Sequence, residues 1–157
     1  MILKLDPSLD CCPRHPEKGV FQLLERDDLP PAELVFFGVQ GRFIKKSEVE
    51  FLKKSKWADS HRFVFLTEEI RATKMKPPFR TQAGACAAAL LEGVDEIYLS
   101  VDLQVVAAGH FAGLGSPQSI GLTHLELSEV LAIFAPKTRL VDFAEYNPCI
   151  DKSRSGA

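Results

Sequence analysis

The sequence lacks an excess of basic residues, because 19 lysines and arginines stand against 21 aspartates and glutamates, for a net charge of −2 at pH 7. This balance argues against a nucleic-acid partner. The sequence also lacks an apolar run long enough to span a membrane. Its first residues do not resemble a signal peptide, because the apolar stretch is short and Asp6 follows it. We therefore expect a cytoplasmic protein with neither nucleic-acid nor membrane partners.

Cysteines are few, and the spacing of the four in the chain fits neither a zinc knuckle nor a compact disulfide framework. We interpret them as reduced thiols, as is usual in the cytosol. The chain has 157 residues and a mass of 17.4 kDa, which suits one domain with its own core. Without repeats or a composition shift, we expect a single α/β domain over residues 1–150 and a polar tail over residues 151–157.

Five short apolar runs predict strands, and helical patterns separate most of them. One run covers residues 96–104, and the others begin near residues 2, 34, 62 and 139. Strands that alternate with helices are typical of a parallel sheet with helices on its faces. With right-handed crossovers, we expect a three-layer open parallel sheet of about five strands in the spatial order 3-2-1-4-5.

Acidic residues follow three of these strands. Asp6 and Asp10 come after the first strand, Asp102 ends the fourth and Glu145 follows the fifth. The predicted order puts the switch point between strands one and four, where ligands of open α/β sheets bind. Neighbouring carboxylates are costly unless a cation or proton intervenes, and oxygen-rich sites suit Mg, Ca or Mn. An aspartate at the position of Asp102 can equally well cap a turn or a helix.

The segment after Asp102 is long and rich in glycine and alanine, from residue 105 to residue 121. A loop of this length without an element of its own is usually either functional or disordered. The sequence alone leaves both possibilities open.

Several segments, in order along the chain, resemble motifs of the arginase/ureohydrolase family, most closely its formimidoylglutamase branch. The resemblance implies a truncated arginase-like fold without the family's N-terminal part. The matching segments are L-D-P-S-L-D at 5–10 for D-A-H-x-D, G-V-F at 19–21 for the substrate loop, S-V-D-L-Q at 100–104 for S-x-D-x-D, A-G-L-G-S-P at 112–117 for A-P-G-x-S-x-P, G-L-T at 121–123 for G-G-L-T, and D-F-A-E-Y-N-P at 142–148 for D-x-x-E-x-N-P.

The resemblance implies a chemistry in which two manganese ions activate a bridging hydroxide, which attacks a guanidinium or formimino carbon. Asp6, Asp10 and Asp102 match metal-ligand positions of the family. Glu145 matches the acid that holds the substrate's guanidinium-like group. His15 lies near Asp10 and is the histidine best placed to join this substrate and metal region, although a solvent-exposed histidine is the alternative interpretation.

Departures from the family pattern weaken the implied metal site. Ser8 replaces a histidine ligand and Gln104 replaces an aspartate ligand, and a hydroxyl and an amide bind divalent ions poorly. We therefore expect one manganese ion or none, and a degenerate, inactive ureohydrolase-like domain that acts as a binding or assembly subunit. The alternative is an active manganese-dependent hydrolase of a linear amidine C–N bond. We assign no catalytic residue, and whether the chain is an enzyme stays open.

The resemblance also implies a partner surface. In the family the sheet continues beyond the fifth strand, so that the run from Leu140 to Phe143 would form a bare edge here, open to pairing with another chain. We expect a homodimer mate, another protein subunit or the tail to cover this edge. A small cationic ligand held by the acids is a further expectation.

Overall fold

The computed structural model describes residues 2–3, 33–40, 46–54 and 57–151. Within these ranges the chain forms five strands and three α-helices around one sheet. None of the helices in these ranges combines the length and the apolar character that a bilayer crossing needs.

The sheet has the strand order β3-β2-β1-β4-β5, which is the order predicted from the sequence. Strand β2 pairs in parallel with β3, and β4 pairs in parallel with β5. The strands are β1 (Ile2–Leu3), β2 (Leu34–Val39), β3 (His61–Phe65), β4 (Ile97–Asp102) and β5 (Thr138–Ala144), and the α-helices are α1 (Lys46–Lys54), α2 (Gln82–Leu90) and α3 (His124–Phe134).

The prediction of an entirely parallel sheet was wrong for β1. This two-residue strand runs antiparallel to both of its neighbours, with Ile2 opposite Phe36 on one side and opposite Ser100 on the other. The right-handed crossover rule constrains parallel connections only, so it could give the position of β1 but not its direction. As a result, the carboxyl end of β1 lies on the side of the sheet opposite to the carboxyl ends of β4 and β5.

The larger core lies on the face of the sheet that packs against α2 and α3. Alternate residues of β4 point into it, and Phe37 meets Phe134 of α3 edge to face, with ring centroids 6.3 Å apart. Helix α2 can lie close to α3 because its small side chains leave little between the helix axes. Adding a Cβ to Gly84, for instance, would place it 2.5 Å from the Glu129 carboxylate.

A smaller core lies on the opposite face, under α1. Leu34, Leu52 and Trp57 are buried there, and Phe36 stacks on Phe63 with ring centroids 4.9 Å apart. Helices therefore cover both faces of the sheet, which confirms the predicted three-layer architecture.

Local side-chain contacts fix the beginnings of α2 and α3. The Thr81 hydroxyl accepts a hydrogen bond from the backbone N–H of Gly84 at 2.9 Å. Thr123 and Glu126 form the complete capping box that their spacing predicts, in which each side chain accepts from the other's backbone N–H.

The polar tail was predicted to begin at Asp151, but Asp151 is only 3% exposed. Asp151 is thus packed against the domain, and the boundary of the tail stays a prediction. Residues 152–157 lie outside the described residues.

Candidate functional site

Because β4 and β5 pair in parallel, two of the predicted acids lie together where these strands end. Asp102 is the last residue of β4 and lies opposite Ala144 of β5, and Glu145 comes immediately after that strand. The other predicted site residues, which are Asp6, Ser8, Asp10 and His15, lie outside the described residues. Their assignment as metal and substrate residues therefore stays a prediction. They were expected beside Asp102 because β1 and β4 would end on the same side of the sheet, and the antiparallel direction of β1 removes that reason.

Asp102 acts as a cap in this structure. Its Oδ1 atom accepts a hydrogen bond from the backbone N–H of Gln104 at 2.8 Å, which starts the 3₁₀ turn Leu103–Val105. The capping interpretation of this residue is thus realised. A carboxylate has further acceptor positions, so that capping with one oxygen is compatible with a ligand role for the other.

Gln104 and Glu145 contact each other at the carboxyl ends of β4 and β5. The Gln104 side-chain Nε2 donates to the Glu145 Oε2 atom at 2.9 Å, between residues 41 positions apart. Glu145 is exposed and has a φ of 68°, a left-handed conformation that non-glycine residues rarely adopt and that recurs at functional sites. The Gln104 amide thus donates one hydrogen bond to the carboxylate that the sequence predicts to bind substrate.

The segment after Glu145 wraps around Gly113. The backbone N–H of Asn147 donates to the Gly113 carbonyl at 2.8 Å, and the Tyr146 hydroxyl lies 3.3 Å from the Asp151 carboxylate. A Cβ on Gly113 would lie 2.6 Å from the Tyr146 ring, so that only glycine permits this approach. Desolvation, together with the negative charge of Asp151, raises the pKa of the Tyr146 hydroxyl.

The long loop after β4 is packed. Its backbone forms bridges from Val106 to Leu122 and from Ala107 to Gln118, and Val105 and Leu114 are buried in the larger core. Of the two possibilities that the sequence leaves open, disorder is wrong for this loop. It instead forms a compact platform against which the 145–151 segment lies.

An ion pair that sequence reasoning missed lies beside this platform. The Arg71 guanidinium donates to both oxygens of Glu126, and its Nη2 also donates to the Gly121 carbonyl at 3.2 Å. Burial raises the pKa of Glu126, but the hydrogen bond and positive charge of Arg71, with the bonds from Thr123, outweigh it and bring the pKa below its usual value. No local signal marks this pair, because its members are 55 residues apart in the chain.

The Arg71–Glu126 pair lies in the wall of an open cleft of about 570 Å³. The first residues of α2 and α3 contribute to the same wall, through Thr81, Gln82 and Thr123. Within the cleft the arginine charge is already balanced by Glu126, so that the Arg71–Glu126 pair itself brings no net charge to it.

The described residues at the strand ends do not by themselves make a dimanganese site. Among residues 33–40, 46–54 and 57–151, no group of three or more His, Cys, Asp or Glu side chains converges on one point. Gln104, just after the end of β4, offers a neutral amide, whereas manganese prefers carboxylates.

Together, these observations define an α/β protein with acidic side chains at the carboxyl ends of its parallel strands β4 and β5. The sequence matches the profile of the Arginase family over residues 14–157, and the chain belongs to that family. The resemblance found in the motifs is thereby confirmed.

Two curated relatives are formimidoylglutamases. That of Paraburkholderia xenovorans is 36% identical over 70 residues, which cover 43% of this chain and 22% of the relative. That of an Enterobacter species is 32% identical over 81 residues, which cover 50% of this chain and 26% of the relative. The matched stretches thus span about a quarter of the length of these relatives.

The fold itself resembles that of a solved arginase. The crystal structure of arginase from Bacillus subtilis superposes with a TM-score of 0.59 at 20% identity, over 78% of this chain and 42% of that one. The predicted arginase-like α/β fold is therefore confirmed.

Proposed function

We propose that this chain is an arginase-family domain without hydrolase activity of its own, and that it acts as an assembly subunit. The contact between Gln104 and Glu145 is the observation that carries the proposal. In the family pattern these positions hold a metal-ligand aspartate and the substrate-binding glutamate. Here the amide donates to the carboxylate at 2.9 Å, so that neither side chain needs a cation to offset a neighbouring charge.

The exposed edge of the sheet supports the assembly role. Among the described strands, β5 pairs only with β4, and Leu140, Val141 and Phe143 are 47%, 44% and 56% exposed. These apolar side chains lie on both faces of the strand, because neighbouring residues of a strand point to opposite sides. An apolar, unpaired edge is suited to pairing with a homodimer mate or another protein subunit.

The charges of β5 do not oppose such pairing. Asp142 accepts hydrogen bonds from the hydroxyls of Ser100, at 2.9 Å, and Tyr98, and Arg139 pairs with Glu96 at 3.1 Å. Asp142 is thus bonded to β4, and Arg139 is paired with the residue that precedes β4. Between Thr138 and Ala144 the strand contains neither a lysine nor a proline, two residues that often protect a sheet edge from pairing.

The catalytic half of the proposal is tested by metal analysis and turnover. The purified chain is incubated with excess manganese, desalted and assayed for bound metal and for release of formamide from formiminoglutamate or urea from arginine. We expect substoichiometric manganese and no product. Stoichiometric manganese with steady product release would overturn the proposal.

The assembly half is tested with matched lysine substitutions. Val141→Lys places a charge on the β5 edge, and Leu125→Lys places one on an equally exposed apolar position of α3, with Leu125 at 48% exposure. Light scattering over a range of concentrations should show association that Val141→Lys abolishes and Leu125→Lys retains. A monomer at every concentration, with fast amide exchange at residues 140–143 also in the presence of cell extract, would contradict it.

An active manganese-dependent amidine hydrolase is the second candidate. Asp102 and Glu145 end neighbouring parallel strands, and the left-handed backbone at Glu145 is the kind of strain that functional sites retain. This candidate requires further ligands from residues outside the described ranges or from a partner chain. A third outcome, binding of a small cation without turnover, would appear as thermal stabilisation by arginine-like compounds.

A further inference from the structure

Two histidines from different elements meet on the surface of the domain. His110 ends a 3₁₀ turn, Ala108–His110, within the long loop after β4, and His124 is the first residue of α3. Both side chains are exposed. Their Nδ1 atoms lie 3.4 Å apart, and their ring centroids are separated by 5.4 Å.

This spacing is long for a hydrogen bond but matches a shared metal ion. Hydrogen bonds from N–H groups cluster near 2.9 to 3.0 Å between heavy atoms, which is shorter than the distance between these rings. Two imidazole nitrogens bound to one tetrahedral zinc ion, each at about 2.0–2.1 Å, lie roughly 3.4 Å apart. The centroids of two such rings would be about 5.2 Å apart on the same geometry.

We propose that His110 and His124 form a two-histidine chelating site for zinc. Imidazole suits zinc, whereas manganese favours carboxylate and water, so that a site built from two imidazoles should prefer zinc to manganese. A tetrahedral zinc ion held by these two histidines would keep two positions for water or for a ligand from solution, one more than the zinc sites with three protein ligands.

Zinc bound here would link the long loop to the start of α3. The two histidines are separated by 14 residues, and the bridges from Val106 to Leu122 and from Ala107 to Gln118 already bring the ends of this segment together. The backbone therefore holds the two rings near each other before metal binds, which lowers the entropic cost of chelation. Metal binding to the folded form should in turn raise the melting temperature.

The test uses glutamine substitutions, because an amide can still hydrogen-bond to the remaining imidazole but binds zinc poorly. Zinc binding to the wild-type chain, His110→Gln and His124→Gln is measured by calorimetry, with thermal melts in parallel. His61→Gln is the matched control, because His61 is also a histidine but lies on β3 with its Nδ1 bonded to the Trp57 carbonyl.

We expect the wild-type chain and His61→Gln to bind zinc at one site and to melt at a higher temperature with the metal. Each of the other two variants should lose at least tenfold in affinity and show no zinc-dependent shift. In the wild type, the NMR signals of both ring C–H groups should move on titration with zinc. The proposal is overturned if the wild type fails to bind, or if His110→Gln and His124→Gln bind zinc as tightly as it does.

Discussion

The residue that best shows how this domain tolerates a buried charge is Glu126. Its side chain is 8% exposed, yet it carries a carboxylate that accepts from Arg71 and from both the hydroxyl and the backbone N–H of Thr123. One residue thus closes the capping box of α3 and anchors Arg71 across the cleft. A single substitution here should therefore affect both the helix start and the contact with the loop before α2.

We predict that Arg71→Met lowers the free energy of unfolding by about 2–4 kcal/mol, because it leaves a buried carboxylate without its cation. Urea denaturation followed by circular dichroism measures the loss. Arg139→Met is the control, because Arg139 and Glu96 are 73% and 55% exposed and such a pair contributes only about 0–1 kcal/mol. Equal losses in the two variants would contradict the prediction.

The same ion pair predicts a pH dependence. The pKa of Glu126 is lower in the folded chain than its ordinary value of 4.5, so its contribution is complete above that pH and is lost as the pH falls through the lowered pKa. The difference in unfolding free energy between wild type and Glu126→Gln should therefore be largest at neutral pH and shrink below pH 4.5. A difference that stays constant from pH 7 down to pH 3 would refute this assignment.

Gln104 gives a prediction that connects stability to metal binding. Gln104→Asp places a second carboxylate near Glu145 in place of the amide donor, so we expect a loss of about 0.5–1.5 kcal/mol without metal. Manganese should offset part of that loss in Gln104→Asp but not in Gln104→Ala, which removes the hydrogen bond without adding charge. Melting temperatures with and without manganese measure the effect, and identical responses of the two variants would count against it.

At the scale of elements, the helices were easier to predict than the loop between β4 and α3. The capping interactions of Thr81 and Thr123 involve residues three positions apart, so that the local pattern contains the whole signal. The packing of the loop instead depends on contacts between Val105, Gly121 and Leu122, which its composition does not reveal.

This loop offers a comparison of two glycines. A Cβ at Gly121 would lie 2.7 Å from the Val105 carbonyl oxygen, whereas a Cβ at Gly109 would meet nothing within 4 Å. Gly121→Ala should therefore destabilise the fold by about 1–3 kcal/mol, because backbone atoms must shift. Gly109→Ala should remain within roughly 0.5 kcal/mol of wild type in the same urea titration. Similar stabilities of the two variants would show that the loop is not packed as described.

At the scale of the whole molecule, the proposed assembly role depends on the outer strand β5. Strand β5 contributes one of the two outer strands of the sheet, and its exposed Leu140, Val141 and Phe143 bring apolar surface to that edge. If a second copy covers it, association stabilises the folded form by mass action. The melting temperature of the wild type should then rise with protein concentration, while that of Val141→Lys should not; a wild-type value independent of concentration would exclude the homodimer.

The sequence by itself determined the positions of the strands, the helix caps and the family, because hydrophobic periodicity, capping boxes and motifs are local signals along the chain. The strand order followed from these positions together with the handedness of crossovers. Only the tertiary structure decided the antiparallel direction of β1, the hydrogen bond from Gln104 to Glu145, the Arg71–Glu126 pair and the meeting of His110 with His124. Each of these depends on residues that are distant in the chain but adjacent in space, and no local pattern records such a contact.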